Sequence, residues 1–274
     1  MHFGAEEPAL LGPLMERLRA IGPDLIVASG DFTMAGRHRE FRAAASFLAR
    51  MPAPVVATPG NHDLPVYDLV ERFTDPFRRY RRSIEPITLT EFISPEIALL
   101  ALNSARRWDL SLNWSHGRLS DGQVREADRF FARNSGSRIR ALVVHHPFFV
   151  PEELPGFRQI GNGDAMLEVL ARRRVHAVLS GHLHQQAVAM RELIVDEEAR
   201  SVVLLQVASA TSTRRRNQPN AFNVMDVEGE TIAVIEQIER DGRFEPQPRR
   251  VVWPVATGPA PEDSGVREPG ARAG

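Results

Sequence analysis

Short, continuously apolar runs that each end in a polar loop recur along the chain, and they alternate with amphipathic helical patterns. Residues 24–29 (DLIVAS), 55–58 (VVAT), 141–144 (ALVV) and 175–180 (VHAVLS) are such runs. A run this short and apolar at every position reads as a strand buried on both faces, as in a parallel sheet. Helices are expected between the runs. Residues 8–20 carry Pro8 in the first turn, a stripe of Leu10, Leu11, Leu14, Leu18 and Ile21, and Gly22 as the stop. Residues 37–50 place Phe41, Ala44, Ala45 and Leu48 on one face. Ser120 and Gln123 read as a capping box opening a helix to about Asn134, and Asp164 as the cap of a helix to about Arg174. The middle of the chain, from about Tyr67 to Trp114, is less regular, with one strand expected over 97–103. Strand-like segments follow at 187–195, 201–208, 221–227 and 231–238. The pattern predicts an α/β fold of two facing sheets with helices outside. It forms one domain over 1–254, followed by a disordered Pro- and Gly-rich tail over 255–274.

The apolar runs end on residues that carry chemistry: Gly30-Asp31, Gly60-Asn61-His62-Asp63, His145-His146-Pro147 and Gly181-His182-Leu183-His184. Met1-His2-Phe3-Gly4 adds half of a further motif. Sites of open α/β sheets form at the carboxyl ends of the strands, so motifs far apart in sequence are expected to converge. Imidazole, carboxylate and one amide suit first-row ions such as Mn, Fe, Zn, Co or Ni better than calcium. Two such ions roughly 3.5–4 Å apart activate a water and clamp the oxygens of a phosphoryl displacement. Taken singly, Gly-Asp after a strand is an ordinary turn, Gly-Asn-His-Asp a polar loop, and His-His-Pro a packing feature. Their joint occurrence carries the weight, since six of the nine histidines fall in these motifs. Of the others, His38 reads as a solvated helix residue and His176, inside an apolar run, as a satisfied core residue. His116, in Ser115-His116-Gly117, is a candidate for contact with substrate.

Composition narrows the classes. With no cysteine there is no disulfide framework and no thiolate metal site. A net charge of −1 provides no global field for nucleic acid or an anionic membrane. Glu6 and Glu7 stand where the apolar core of a signal peptide would begin. The expectation is a soluble cytoplasmic protein with a small-molecule phosphoester as its partner. All 34 basic residues are arginine. The clusters at Arg78-Arg79, Arg81-Arg82 and Arg172 to Arg174 read as solvated faces. Arg106, Arg107 and Arg214 to Arg216 follow expected strands and could reach the rim of a phosphate site, where a guanidinium binds two oxygens at once.

As a set, the motifs resemble those of the calcineurin-like metallophosphoesterases, over about residues 1 to 240. Within that family the chain looks most similar to the small one-domain bacterial branch that includes the class III cyclic-nucleotide phosphodiesterases. The resemblance implies the metallo-dependent phosphatase fold, a four-layer α/β/β/α sandwich. It also implies roles. His2 and His184 would bind the first metal, and Asn61, His145 and His182 the second, with Asp31 bridging them. His62 would contact the phosphoryl group or protonate the leaving oxygen, and Asp63 would orient His62. Of the pair His145-His146, His146 would be the less favoured ligand, because the family's ligand usually stands two residues before the proline. The family's first motif is Asp-x-His. Here the aspartate would precede Met1, and with it the first strand, so the expectation is a mis-assigned or truncated start.

The activity implied is hydrolysis of a phosphodiester, including a cyclic nucleotide, by metal-hydroxide attack at a dinuclear centre. A phosphomonoesterase, a nucleotide pyrophosphatase, and a catalytically impaired metal- or nucleotide-binding module lacking the first-motif aspartate are the alternatives.

Overall fold

A computed structural model of the chain describes residues 1–106, 115–151, 154, 156–214 and 218–254. The expected tail over 255–274, Arg107, Arg215 and Arg216 lie outside the described residues.

The apolar runs are strands and their neighbours are helices. In chain order the first half comprises α1 (Pro8–Ile21), β1 (Ile26–Ala28), α2 (His38–Leu48), β2 (Val55–Ala57), α3 (Leu69–Thr74), α4 (Arg78–Ser83), β3 (Glu91–Ile93) and β4 (Ile97–Ala101). The second half comprises α5 (Asp121–Arg133), β5 (Ile139–Val143), α6 (Gly163–Arg172), β6 (Ala177–Ser180), β7 (Ala187–Val195), β8 (Glu198–Gln206), β9 (Ala221–Glu228), β10 (Thr231–Arg240), β11 (Arg243–Pro246) and β12 (Arg250–Trp253). A six-stranded sheet runs β3-β4-β5-β6-β8-β7. Its four inner strands are parallel and its two edges antiparallel. β5 and β6 are buried at every position, as strands covered on both faces must be. The opposite side is divided: β1 and β2 form a parallel pair, while β9, β11 and β12 all pair antiparallel with β10.

Three apolar clusters stack the layers. Phe130, Phe131, Met166 and Leu170 of α5 and α6 pack on Leu100, Leu142 and Val178 of the large sheet. The opposite face of that sheet, with Leu99, Val143 and Val203, meets Ile232, Val234 and Val252. Leu14 and Leu18 of α1 and Phe41 and Phe47 of α2 cover Val55 and Ala57 of β2. The order helix, sheet, sheet, helix is the α/β/β/α sandwich of the metallophosphoesterase fold.

Two details differ from the sequence reading. Helix α6 starts at Gly163 with Asn162, at φ 62°, in the cap position, so Asp164 lies inside the first turn. The middle of the chain is also more ordered than its composition implies, holding α3, α4 and the hairpin β3–β4. Among the described residues, no helix is long and apolar enough to cross a membrane.

Candidate metal centre

The motif residues follow the carboxyl ends of β1, β2, β5 and β6, and these ends lie side by side. Asp31 follows β1, and Asn61 to Asp63 form a single 3-10 turn after β2. The two loops approach backbone to backbone. A Cβ on Gly60 would stand 2.1 Å from Oδ1 of Asp31, and one on Gly30 would stand 2.7 Å from Nδ1 of His145. Only glycine permits this contact. After β6, Leu183 is wholly buried and anchors its loop, while the histidines on either side of it face the centre.

Four of the residues expected at the site hold left-handed backbone: His2 at φ 59°, Asp31 at 54°, His182 at 71° and His184 at 56°. Such geometry costs on the order of 1 kcal/mol or more per residue and persists where the surroundings over-determine it.

The donors form two groups joined by Asp31. In one, Nε2 of His145 lies 3.1 Å from Oδ1 of Asn61 and 3.4 Å from Oδ2 of Asp31. Nδ1 of His182 is 3.0 Å from the same Asn61 oxygen and 3.2 Å from Nε2 of His145. In the other group, Nε2 of His2 lies 3.0 Å from Oδ2 of Asp31, and the ring of His184 sits 4.6 Å from that of His2. Close as His2 and Asp31 are, their angles do not make a hydrogen bond, and both ring nitrogens of His2 are buried without one. Oδ2 of Asp31 therefore faces both groups, while its Oδ1 accepts from the backbone N–H of His62 at 3.0 Å.

This arrangement fits cations. Nδ1 of His145 faces the carbonyl of Ser29 at 2.8 Å, an acceptor only, so that nitrogen carries its hydrogen. In the neutral ring, Nε2 then offers a lone pair to the oxygens of Asn61 and Asp31, and acceptors this close need a proton or a metal ion between them. Burial disfavours the imidazolium at His145, yet the charge and contact of Asp31, the Ser29 carbonyl and the charge of Asp63 together outweigh it and raise the pKa. Burial likewise opposes ionisation of Asp31, but His145 and His2 hold its carboxyl well below the ordinary range. Burial, reinforced by neighbouring imidazoles, pushes His182 and His146 well below the ordinary histidine value. The centre thus presents one carboxylate among imidazoles poised to donate electron pairs.

His62 is engaged differently. Its Nδ1 pairs with the Met34 carbonyl at 2.8 Å, and its Nε2 with Nη1 of Arg214 at 2.7 Å. Asp63 is expected to orient this ring, but its carboxylate makes its hydrogen bonds elsewhere. Oδ1 of Asp63 accepts from the N–H and hydroxyl of Thr33, and Oδ2 from the N–H of Gly60. Asp63 thereby ties the Asp31 and Asn61 loops together, and the Met34 carbonyl fixes the tautomer of His62. Burial and the charge of Asp31 push the Asp63 carboxyl up to about 6.

His146 stands nearer the donors than its sequence position implies: its ligand atom, with those of His145 and His182, falls within a 4.8 Å group. Its Nδ1 pairs with Oγ of Ser104 at 2.8 Å, and its Nε2 is buried with no hydrogen-bond partner. The 115–117 loop carrying His116 packs onto this ring, since a Cβ on Gly117 would stand 2.1 Å from it. His176 is a satisfied core residue, accepting from the N–H of Arg140 at 3.0 Å, and His38 is exposed. Of the arginines, Arg214 reaches the centre and Arg106 is exposed.

Residues 2–186 match the sequence profile of the calcineurin-like phosphoesterases. A probable cyclic nucleotide phosphodiesterase of Synechococcus sp. is 28% identical over 187 residues, spanning 68% of this chain and 66% of that protein. The 3',5'-cyclic adenosine monophosphate phosphodiesterase CpdA of Escherichia coli K12 is 28% identical over 198 residues, 67% of this chain and 66% of its own. The matches thus span just under two thirds of either relative. Among solved structures, a dimetal phosphatase from Danio rerio superposes with a TM-score of 0.59 at 13% identity, over 86% of this chain and 87% of that one, a likeness of fold.

Proposed function

The chain belongs to the calcineurin-like phosphoesterase family, a family of phosphoric ester hydrolases that work with divalent metal ions, and from that premise we propose that it hydrolyses a phosphodiester at a dinuclear centre, with a cyclic nucleotide as the substrate class. One observation carries the dinuclear reading. A single carboxylate oxygen, Oδ2 of Asp31, lies 3.0 Å from Nε2 of His2 and 3.4 Å from Nε2 of His145, so it faces two separate donor groups. In this reading His2, Asp31 and His184 hold one ion, and Asp31, Asn61, His145 and His182 the other. The donor types suit manganese, iron or zinc. When bound, the ions supply Lewis acidity and an activated water.

The chain's own residues do the rest. Asp31 fixes the spacing of the two groups. Asn61 and the imidazoles of His145 and His182 set the orientation of a phosphoryl group. His62, whose Nδ1 hydrogen is committed to Met34, presents Nε2 as a proton acceptor beside the donor groups, where it meets Arg214. Asp63 holds the two loops that carry Asp31 and Asn61. His116, on the loop against His146, belongs to the substrate rim. The phosphodiester assignment is supported by the names of the two bacterial relatives. Acting on such a small molecule, the protein would work in the cytoplasm.

The test is chelation followed by titration with manganese, using bis(p-nitrophenyl) phosphate, p-nitrophenyl phosphate and 3',5'-cyclic AMP. Turnover should vanish on chelation, return with the metal, and favour the diesters. Full turnover by metal-depleted protein would refute the metal reading, and a preference for the monoester would refute the diester assignment.

A further inference from the structure

One cation enters the centre without a role in the scheme above. Arg214 is half-buried in the loop after β8. Its main chain and side chain reach two different groups of the site. Its carbonyl meets Nδ1 of His184 at 3.0 Å, while Nη1 meets Nε2 of His62 at 2.7 Å and lies 3.8 Å from the sulfur of Met34. The N–H of Arg214 donates to Oγ of Ser212 at 3.1 Å, which steadies the backbone that presents it.

The partner of the guanidinium is unusual. Because Nδ1 of His62 faces the Met34 carbonyl and carries a hydrogen, Nε2 of the neutral ring is an acceptor, and Nη1 donates to it. An arginine bound to a neutral imidazole has no countercharge there. Among the described residues no carboxylate pairs with Arg214, although Arg79, Arg173 and Arg200 all have one. A guanidinium has five N–H groups in a rigid fork, suited to two oxygens of a phosphate. The two on Nη1 are committed to His62 and the Met34 sulfur, and the ring of His62 lies 5.2 Å from that of His2, at the edge of the donor groups.

We propose that Arg214 is a substrate-contacting residue, whose guanidinium donates to a non-bridging phosphoryl oxygen of the phosphoester bound at the centre. The proposal rests on the phosphoesterase reading and adds the anion contact to it. His62 and the Met34 sulfur hold Nη1 at the rim before substrate arrives, which leaves the Nη2 and Nε donors for the incoming oxygen. The same contact retains the phosphate product, which makes inorganic phosphate a probe that needs no turnover.

The experiment measures binding of inorganic phosphate to the manganese-loaded protein by calorimetry. Arg214→Ala and Arg214→Lys are compared in the wild-type and His62→Ala backgrounds, with metal content determined for each. Loss of a charge-assisted contact should weaken phosphate by about 10- to 100-fold. Arg214→Lys, which keeps the charge and loses the fork, should fall between. Metal stoichiometry should stay constant, because the main-chain carbonyl that meets His184 is present in every variant. The weakening should persist when His62 is absent, and guanidinium added to Arg214→Ala should recover part of the lost turnover.

An Arg214→Ala effect that disappears in the His62→Ala background would mean that Arg214 only positions His62, and would overturn the proposal. Unchanged phosphate affinity, or no phosphate binding by the loaded wild type, would overturn it too. Phosphate binding that depends on Arg214 in a protein that hydrolyses no ester would leave this proposal standing and sink the hydrolytic one.

Discussion

The two donor groups that share Asp31 rest on different supports. His145 and His182 follow β5 and β6, adjacent parallel strands at the middle of the six-stranded sheet, buried on both faces. The N–H of Gly181 donates to the carbonyl of His145 at 3.1 Å, so the two loops are tied at their base. His2 stands on thinner ground. It is held by an isolated bridge between Phe3 and Thr33 and by its own N–H to the Asp31 carbonyl. Asp31 follows β1, a half-buried strand that pairs only with β2 among the described residues. A cavity of about 280 Å³ lies between β1 and β9, lined by Leu14, Ile26, Val27 and Val224, and it reaches His2 and His184 as well as His145 and His182. One group is therefore mounted on paired strands buried on both faces, and the other on an isolated bridge beside a half-buried strand. Since tight coordination needs a support that holds donors still, the Asn61, His145 and His182 position should bind its ion more tightly.

The largest expected effect removes the comparison altogether. Asp31→Asn takes the anionic oxygen from both groups, and activity should fall by well over about 100-fold, more than the loss of an outer-shell partner costs. Metal analysis after desalting should find neither ion retained; one ion held at wild-type affinity would show that the groups do not depend on a common carboxylate. Next comes the comparison itself. Manganese should load in two steps, with His145→Ala erasing the tighter and His2→Ala the weaker, as read by calorimetry. Loss of the tighter step in His2→Ala would reverse the assignment.

Protons sharpen the contrast further. The pKa of His145 is raised, so below that value its Nε2 carries a proton that a metal must displace. Apparent affinity of the tighter step should then drop by about tenfold per pH unit on the acid side, as for one competing proton. A flat profile down to pH 5 would show that His145 is not a ligand.

The smallest effect tests the support beneath β6. Burial, with the nearby charge of Arg140, lowers the pKa of His176 from 6.5 to about 4. The folded form keeps His176 neutral, so its stabilising contribution is complete above pH 6.5 and is lost as pH falls from there to about 4. The whole span amounts to about 3 kcal/mol. Urea titrations at pH 7.5 and 4.5 should show a smaller drop for His176→Gln than for the wild type.

Much of this was legible in the sequence where strand and motif coincide. The runs before Asp31, Asn61, His145 and His182 are apolar at nearly every position, so burial and strand identity follow from the same residues. What escaped reading depends on contacts that no local pattern encodes. Helix α4 reads RRYRRS, with only Tyr80 buried, and its place comes from packing against α2. β11 and β12 exist through β10, whose register they complete. The role of Asp63 was misjudged because adjacency in Asn61-His62-Asp63 suggested contact with His62, whereas the 3-10 turn directs the carboxylate back to Thr33 and Gly60. Arg214 was one of several arginines after a strand, and only the fold separates it from the rest.

The left-handed backbone at His2, Asp31, His182 and His184 bears on how such a chain drifts. At each of these positions glycine would relieve strain that every other residue type must carry. Random change filtered for heat resistance alone would therefore accumulate glycine at the donor positions and dismantle the centre while strengthening the fold. Holding histidine and aspartate at these positions thus sets the chemistry against stability, and thermostability engineering of this scaffold has to leave those four positions alone.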